Sequence, residues 1–397
     1  MSIARGFALS GAYSNMAMGA DAPFYNPANL SYNPYYDFSI NLIGIGFETA
    51  NNAFNLNQYK RYNGNYLDEA SKQDLLTSIP DGRLFVISAG EAQLFSAHYK
   101  SYAFSISMIG DGRGNVAREV FELALWGNEL DRLYRFSPML GQSSMAVKVG
   151  FSGGQTLLRS KKWIRHLGLG FGLYYLRGMA FFDINQSQVY SLTRFSNADA
   201  FGHLISDSAE GGNGMTFNIG STLEFTDCWR VGIGVQDVFS FLHWNHGLEQ
   251  LQANFKLYDG FADNLLTEQG DFDSLLVTSD TTLALSSFTQ VLPRRLFIGV
   301  VHAHKWISIA LEFNYHYHRL EYLRSNRVAM GFEFHPSQMI KIRSGINYDD
   351  RIGVSLSAGL GIIWGAFRWD WGIRLNNGMT TPHIRGIGAA TSFSLHY

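Results

Sequence analysis

The 397-residue chain has little charge, one cysteine and few prolines. Charged residues make up 16% of it, against about 25% in an average soluble domain. The single Cys228 excludes an internal disulfide framework. The chain has only 8 prolines, whereas 41 glycines and a 15% share of aromatic residues are plentiful. This balance is unusual for a soluble globular protein.

Long hydrophobic runs are also missing. No segment approaches the roughly 18 consecutive apolar residues that a membrane helix needs, and the mean hydropathy is −0.06. Low charge with neutral hydropathy fits a membrane barrel instead, because its strands are apolar on one face only. A net charge of −2 without a stripe of basic residues predicts no nucleic-acid partner. No secretory signal precedes the first residues, so an exported protein implies a signal outside this sequence.

What the chain does contain is alternation with the period of a β-strand. In Ile307 to Tyr317, apolar residues alternate with Ser, Ala, Glu, Asn and His, and Phe367 to Ile373 repeats the pattern with Trp369 and Trp371 on the apolar face. Similar segments recur along residues 36–397 and predict about 14 strands, an even number typical of outer-membrane barrels. An even number places both ends of the chain on the same side.

The predicted connections differ in length on the two sides. Long ones cover residues 48–83, 110–144, 180–214 and 239–294, and tight ones alternate with them. Outer-membrane barrels have this asymmetry, with short periplasmic turns and long external loops. The alternative is a soluble sandwich of two sheets, which gives no reason for sorting its connections in this way. Helices are predicted in two of these loops, over Asp68–Ile79 and Val116–Leu133.

The segment before the strands, Ala4 to Leu30, reads ARGFALSGAYSNMAMGADAPFYNPANL. Its glycines, Pro23 and Pro27 argue against helix or central strand there. We therefore expect residues 1–35 to fold inside the barrel as a plug, here called the hatch, and residues 36–397 to form the barrel. The predicted fold class is an all-β transmembrane antiparallel barrel of about 14 strands with a hatch in its lumen.

Ionisable residues on the polar faces of the later strands are predicted to line the lumen. They are Glu312, His316, His318, Glu333, His335, Lys341, Arg343, Arg368, Asp370 and Arg374. The histidines and glutamates could hold a metal, since residues i and i+2 of a strand share a face, but a wall of salt bridges is the simpler interpretation and we predict no metal site. Oxygen ligands for calcium in the loops stay a further alternative. No catalytic or cofactor motif is present, so the sequence predicts neither an enzyme nor a cofactor.

The hatch segment resembles the start of the outer-membrane long-chain fatty-acid transporter superfamily, in which a small-residue stretch leads to an Asn-Pro-Ala motif. Here that motif is Asn26, Pro27 and Ala28, with Arg5, Phe24 and Tyr25 as its expected supports. Barrels of type IX secretion open in a similar way. The stretch FELALWGNELDRLYRF is similar to an uncharacterised branch of these barrels. The resemblance covers the hatch closely and the strand plan loosely.

The resemblance implies a barrel whose hatch blocks a straight aqueous pore. A hydrophobic substrate would be captured among external loops and released sideways, through a gap in the wall, into outer-membrane lipid. Gly90, within a regular strand, is the candidate for a kink or opening, with an ordinary bulge as the alternative. The closing residues SFSLHY resemble the terminal signal read by the barrel-assembly machinery, with Tyr397 as its last residue.

Two functions follow from this resemblance. The first is a channel of the bacterial outer membrane that passes a hydrophobic small molecule by lateral or hatch-gated diffusion. The second is a docking barrel of a secretion or cell-surface assembly system that holds a protein partner in its loops. An apolar pocket reaching the hatch would favour the first, and a polar, sealed lumen under a flat apolar loop surface would favour the second.

Overall fold

The computed structural model describes residues 4–32, 37–136, 138–159, 164–195, 198–225, 228–257, 276–317, 324–378 and 383–397. Within these ranges, 19 strands form a single sheet. In chain order they are β1 (Phe38–Asn51), β2 (Arg83–Tyr99), β3 (Tyr102–Ala117), β4 (Leu133–Arg135), β5 (Gly141–Arg159), β6 (His166–Thr193), β7 (Ala198–Ala209), β8 (Gly211–Glu224), β9 (Trp229–His246), β10 (Glu249–Leu257), β11 (Leu276–Ala284), β12 (Phe288–Gln290), β13 (Arg294–Ala303), β14 (Ile307–Tyr317), β15 (Ser325–Phe334), β16 (Ile340–Asp349), β17 (Gly353–Trp364), β18 (Phe367–Asn376) and β19 (Gly386–His396).

Of these strands, 14 close into an antiparallel barrel. The wall runs β1, β2, β3, β5, β6, β8, β9 and then β13 to β19, and β19 pairs back onto β1. Ser39 lies opposite His396 at this closure, so both ends of the barrel sequence lie on the same side. The predicted barrel is thereby confirmed, and the sandwich is excluded because the sheet closes on itself. We call this end the short-turn end and the opposite end the loop end.

Among the described residues, two of the four predicted loops consist largely of strand. Residues 180–214 continue β6 into β7, and residues 239–294 contain the end of β9 with β10, β11 and β12. β10 pairs with β7 and with β11, so the wall is extended at the loop end on one side of the barrel. Sequence analysis treats these segments only as long connections, whereas the structure has strands in them, because their polar and apolar residues also alternate with period two, which continues a strand beyond the barrel.

The other long connections carry the helices, which are α3 (Leu56–Tyr62), α4 (Glu69–Thr77) and α5 (Arg118–Trp126). The predicted helix over 116–133 is shorter than expected because Gly127, with φ of +77°, follows its last turn. α3 was not predicted, although Asn55 and Gln58 form a capping box at its start. The three helices cap one side of the loop end, where Leu76, Phe121 and Trp126 pack together.

The hatch lies inside the barrel and is helical in short pieces. These are α1 (Ala4–Ala8), α2 (Ala22–Tyr25) and two 3₁₀ turns, Gly19–Asp21 and Pro27–Ser31. The expectation that Pro23 and Pro27 exclude helix was wrong, because each lies in the first turn of its element, where a missing N–H costs nothing. No helix in the described part of the chain is long and apolar enough to cross a membrane.

Candidate functional site

The predicted Asn-Pro-Ala motif fixes the hatch to the lumen wall. Asn26 is completely buried, and its Oδ1 accepts a hydrogen bond from the Ala28 N–H at 3.1 Å. Its Nδ2 donates to the Ser221 carbonyl on β8 at 3.3 Å and to Asn15 Oδ1 at 3.4 Å. A single side chain therefore starts the 3₁₀ turn at Pro27 and ties it both to the wall and to the rest of the hatch.

Glycines on the lumen face of the wall let the hatch approach this closely. A Cβ on Gly170 would lie 2.1 Å from the Ala28 backbone nitrogen, and one on Gly220 would lie 2.1 Å from Asn26 Oδ1. Such distances leave no room for any side chain. The same close approach to the hatch occurs at Gly154, Gly168, Gly232, Gly331, Gly345, Gly359, Gly372 and Gly388. The alternating glycines of 168–172 were visible in the sequence, but only as positions on a polar face.

Hydrogen bonds and an ion pair fix the middle of the hatch to the lumen wall. Glu312 is 2% exposed and accepts hydrogen bonds from the Ser14 N–H at 2.9 Å and the Ser14 hydroxyl at 2.8 Å. Arg295 completes this group with an ion pair to Glu312 at 2.8 Å. Gln236 on β9 donates to the carbonyls of Phe24 and Tyr25, both at 2.8 Å. The expected supports of the motif, Phe24 and Tyr25, are therefore held to the wall through their backbones.

A chain of ion pairs crosses the lumen near the short-turn end. Arg5 pairs with Asp21 within the hatch and lies 3.7 Å from Asp370 on β18. Asp370 contacts Arg368 and Arg343, each at 2.8 Å, and Arg343 continues to Glu333 at 2.5 Å. Apart from Arg368 and Glu333, these side chains are less than a tenth exposed. Burying charges this deeply is tolerable only when each has a partner, so the hatch supplies part of the wall's charge balance.

The remaining lumen residues do not assemble into one site. Arg374 pairs with Glu48 at 2.7 Å and lies over the Phe7 ring at 4.2 Å, while Lys341 faces the lumen near Glu333. His335 contacts Glu333 at 2.9 Å near the short-turn end. His316 instead lies opposite Ser325 at the other end of the same strand pair. His318 lies outside the described residues. Because His316 and His335 lie at opposite ends of this strand pair, they cannot both be ligands of one metal ion, as the alternative of a metal site required.

A cavity of about 370 Å³ lies between the hatch and the loop end. Its floor is formed by Pro23, Phe24 and Tyr25 of the hatch. Its walls carry ten charged side chains, which belong to Glu48, Glu91, Asp111, Arg113, Lys148, Asp237, Arg295, Arg327, Arg351 and Arg374. The cavity next to the hatch therefore combines many charged groups with apolar ones such as Ile87 and Ile109, whereas simple hydrophobic transport through the lumen would require an apolar pocket.

Beside this cavity, an apolar cluster fills the lumen at the loop end. It contains Ala146, Leu176, Phe181, Ala209, Leu242, Trp244 and Leu292, with Ile109, Leu248 and Phe288 packed against it. Trp244 is completely buried, and its ring lies 5.5 Å from that of Phe181. Sequence analysis misses this cluster because it assigns residues 239–294 to a loop. The signal is there, since Ser240, Leu242 and Trp244 continue the lumen-facing alternation of β9.

The wall is interrupted next to this cluster, between β9 and the strands that follow it in the sheet. β13 pairs with β9 up to Gln236, and β12 pairs with β9 only from Leu242 onwards. Asp237, with φ of +55°, begins the unpaired stretch, which faces residues 291–293 across the interruption, here called the seam. The Ser240 hydroxyl bridges it, donating to the Leu292 carbonyl at 3.3 Å and accepting from the Leu292 N–H at 3.1 Å.

At Gly90, the predicted wall opening, the ladder is continuous. Gly90 lies opposite Phe47 on one side and Gly110 on the other. The irregularity of β2 falls at Leu94, between Gln93 and Phe95. In the described residues, the seam of β9 is a longer break than this bulge. At the chain end, Tyr397 follows β19, is 68% exposed and exchanges backbone hydrogen bonds with Phe38.

Solved structures with the same fold include two toluene transporters and a FadL homologue. The toluene transporter TbuX of Ralstonia pickettii covers 100% of this chain and 98% of its own, with a TM-score of 0.54 and 13% identity. The P. putida toluene transporter TodX covers 98% of each chain, with a TM-score of 0.55 and 12% identity. A Pseudomonas aeruginosa FadL homologue covers 100% of this chain and 98% of its own, with a TM-score of 0.53 and 12% identity.

The chain therefore has the fold of the FadL-like outer-membrane channels, which confirms at the level of fold the resemblance drawn from the hatch. No protein-family model matches it, and no curated protein matches its sequence.

Proposed function

We propose that this protein is a channel of the bacterial outer membrane that passes a small hydrophobic molecule. The observation that carries the proposal is the apolar cluster around Trp244, which lies inside the lumen directly beside a break in the wall. The fold it shares with toluene transporters supports the same conclusion. A docking barrel for a secreted protein remains an outcome of the test below.

The proposed route leaves the lumen sideways at the seam. An apolar molecule gains about 0.8 kcal/mol for each CH₂ group that it keeps out of water, so the charged cavity above the hatch is an unfavourable path. Leu242, Trp244 and Leu292 offer apolar contacts from the loop end to the seam. On the outer surface of the same region, Phe239 is 77% exposed and Val291 is 43% exposed, and both would face lipid.

In this proposal the hatch closes the lumen to polar solutes and stays in place during transport. Its anchors are buried contacts with the wall, which join Asn26 to Ser221, Ser14 to Glu312 and Arg5 to Asp370. Breaking one such buried ionic contact costs about 3 to 5 kcal/mol, whereas opening the seam breaks the two bonds of a single hydroxyl, each worth about 1 kcal/mol. The seam is therefore the cheaper place to open.

The test is to cross-link the two sides of the seam with a reversible disulfide. Ser240→Cys and Leu292→Cys are combined in a Cys228→Ser background, and uptake of labelled toluene and labelled oleate is measured in cells that carry the protein. We expect uptake of at least one of them to fall, after oxidation, to the level of cells without the protein and to return after reduction. The matched control is Val301→Cys with Ala310→Cys, two buried residues that lie opposite each other in the regular ladder of β13 and β14.

Equal uptake by the oxidised and reduced forms of the seam variant, with the disulfide verified by mass spectrometry, would refute lateral exit at this place. If the unmodified protein does not raise uptake at all and co-purifies with a stoichiometric protein instead, the channel proposal itself fails and docking takes its place.

A further inference from the structure

Two arginines lie over the same tyrosine ring on the wall, at the loop end of β13 and β14. The guanidinium carbon of Arg324 is 4.7 Å from the centre of the Tyr317 ring, and that of Arg294 is 6.0 Å from it. Arg294 and Tyr317 lie opposite each other in the ladder of β13 and β14, and Arg324 directly precedes β15. Three successive strands thus bring these side chains together, and we call the three residues the arginine patch.

The alternation of the strands shows that the arginine patch faces away from the lumen. Arg295 points inward and pairs with Glu312 at 2.8 Å, so its neighbour Arg294 points outward, where it is exposed. On β14, Phe313 shares a face with Tyr317 and is 37% exposed, whereas Glu312 between them in the alternation is 2% exposed. The patch therefore belongs to the surface of the wall that meets the membrane.

The length of β13 places the patch at the edge of the membrane. The 10 residues of this strand span roughly 33 Å along its axis. At a tilt of about 40° they cover roughly 25 Å, which is the height of the apolar band of an outer-membrane barrel. The outward residues that follow Arg294 are Leu296, Ile298 and Val300, and Trp306 is 61% exposed in the turn at the lower end. Arg294, at the upper end, therefore lies at the level of the lipid headgroups.

The headgroups at this level belong to the outer leaflet, because the short turns of such barrels are periplasmic. The outer leaflet consists largely of lipid A, a glycolipid whose sugar headgroup carries phosphate groups. A planar guanidinium group can donate two parallel hydrogen bonds to one phosphate, and an aromatic ring beneath it holds it in place. Tyrosine itself favours the boundary between lipid and water. Position and chemistry thus agree.

The patch also has an excess of positive charge. On the same surface, the Asp350 carboxylate accepts hydrogen bonds from the Asn326 N–H at 3.0 Å and from the Asn326 side-chain amide at 2.8 Å. Asn326 lies opposite Tyr315, whose ring is 6.5 Å from that of Tyr317. Two guanidinium groups outnumber this one carboxylate, which is already bonded to Asn326. An anionic headgroup would balance the remaining charge.

We propose that the arginine patch binds the phosphate group of a lipid A molecule and holds this lipid at a fixed place on the wall. Its acyl chains then lie along the apolar outward residues below, such as Leu296 and Phe313. The place adjoins the seam, since Arg294 directly follows Pro293. The inference does not depend on transport, because it concerns the outer surface alone.

Retention of lipid A by the purified protein tests this proposal. Lipid A is added in detergent, and native mass spectrometry measures how much remains bound to the unmodified protein and to a double variant with Arg294→Gln and Arg324→Gln. We expect the apparent affinity to fall about tenfold in the double variant, because two positive charges near the membrane surface are lost. The matched control is Arg194→Gln, which removes an exposed arginine that pairs with Asp199 and should retain lipid A unchanged.

A second comparison separates the charge of the phosphate from general adhesion of lipid. Lipid A without its phosphates should bind weakly, and equally well to the unmodified protein and the double variant. Equal retention of phosphorylated lipid A by these two proteins would overturn the proposal. Complete displacement of lipid A by inorganic phosphate at the same concentration would overturn it too, because the patch would then be a site for the free ion.

The ring of Tyr317 gives an independent check on the geometry. Tyr317→Leu removes the surface on which both guanidinium groups lie and should lower the retention of lipid A several-fold, whereas Tyr317→Phe keeps the ring and should not. Both changes lie on the outer surface, so the barrel should fold in each. A loss of retention in Tyr317→Phe as large as in Tyr317→Leu would contradict the role of the ring.

Discussion

Two regions fill the lumen of this barrel, the hatch near the short-turn end and the apolar cluster around Trp244 near the loop end, and different interactions hold them. They are called the two fillings below. Near the short-turn end, the hatch is a separate segment fixed by hydrogen bonds and ion pairs, such as those of Asn26 and Arg5. Near the loop end, the wall fills the space with its own side chains, packed around Trp244. Both regions are buried, but directional bonds between charged groups hold only the first, whereas apolar packing makes up most of the second.

The difference indicates which region can adapt to a guest molecule. Directional bonds between charged groups fail when a partner moves by about an ångström, so the hatch has one well-defined position. Apolar packing tolerates exchange and rearrangement at a cost that is usually below about 1.5 kcal/mol when volume is kept. The cluster can therefore rearrange around a hydrophobic molecule while the hatch continues to close the lumen.

The largest effect should come from removing a central charge of the hatch region. Arg343→Met leaves the buried carboxylates of Glu333 and Asp370 with Arg368 as their one shared arginine instead of two, so we expect a loss of about 3 to 5 kcal/mol of stability. Thermal unfolding in detergent measures it. The control, Arg194→Met, breaks the exposed pair with Asp199, whose side chains are 45% and 40% exposed, and should change little. A similar small loss for both variants would mean that directional charges do not hold this end of the barrel.

A second variant tests the fit of the hatch against the wall without changing any charge. Gly170→Ala places a methyl group 2.1 Å from the Ala28 nitrogen, which requires the backbone of the hatch to move and should cost about 3 kcal/mol. Limited proteolysis should then cut the hatch, which the unmodified barrel protects. Gly90→Ala, whose methyl group meets nothing closer than 3.9 Å, is the matched control. Protection of the hatch in both variants would show that the glycines are not needed for its seating.

Much of this arrangement follows from the sequence, and some of it cannot. Period-two alternation placed Glu312, Arg343 and Asp370 on the lumen face because side-chain direction is a local property of a strand. Which residues these side chains pair with could not be predicted from this local pattern. The pairing of Arg343 with both Glu333 and Asp370 depends on how three separate strands are aligned, and that of Arg5 depends on where the hatch settles.

The position of the seam also could not be predicted from the sequence, because it depends on how separate strands pair. Most of the seam residues lie in a segment that sequence analysis assigns to a loop, and the break depends on where β12 stops and β13 starts to pair with β9. Pro293 was the one local signal, since it has no N–H to donate to a ladder. Gly90 carried a similar signal and lies in an unbroken ladder, so a glycine or proline alone does not locate an opening.

A milder change should separate the apolar cluster from the hatch. Trp244→Phe removes volume from the cluster and the hydrogen bond from Trp244 Nε1 to Gln290, so we expect a loss of about 1 to 2 kcal/mol. The hatch should remain protected from proteases, because its anchors are not touched. Binding of toluene and of a bulkier aromatic hydrocarbon should shift in favour of the bulkier one. Exposure of the hatch in this variant would show that the two fillings are coupled.

The smallest expected effect concerns a carboxylate in the strand extension, above both fillings. Asp183 lies opposite Asp207 across β6 and β7, beyond Gly178, the last β6 residue paired with β8. Burial, together with the negative charge of Asp207, raises the pKa of Asp183 to about 6. A folded-state pKa above the ordinary value means that the protonated form is favoured by folding. This stabilisation is present below the ordinary pKa of about 4 and is lost as the pH rises through about 6.

Asp183→Asn should therefore raise the unfolding temperature slightly at pH 8 and leave it almost unchanged at pH 4. The hatch and the cluster should be unaffected at either pH, because the pair belongs to the extended wall alone. A variant that stabilises the protein equally at both pH values would contradict the assignment, since the gain would not then come from removing a charge.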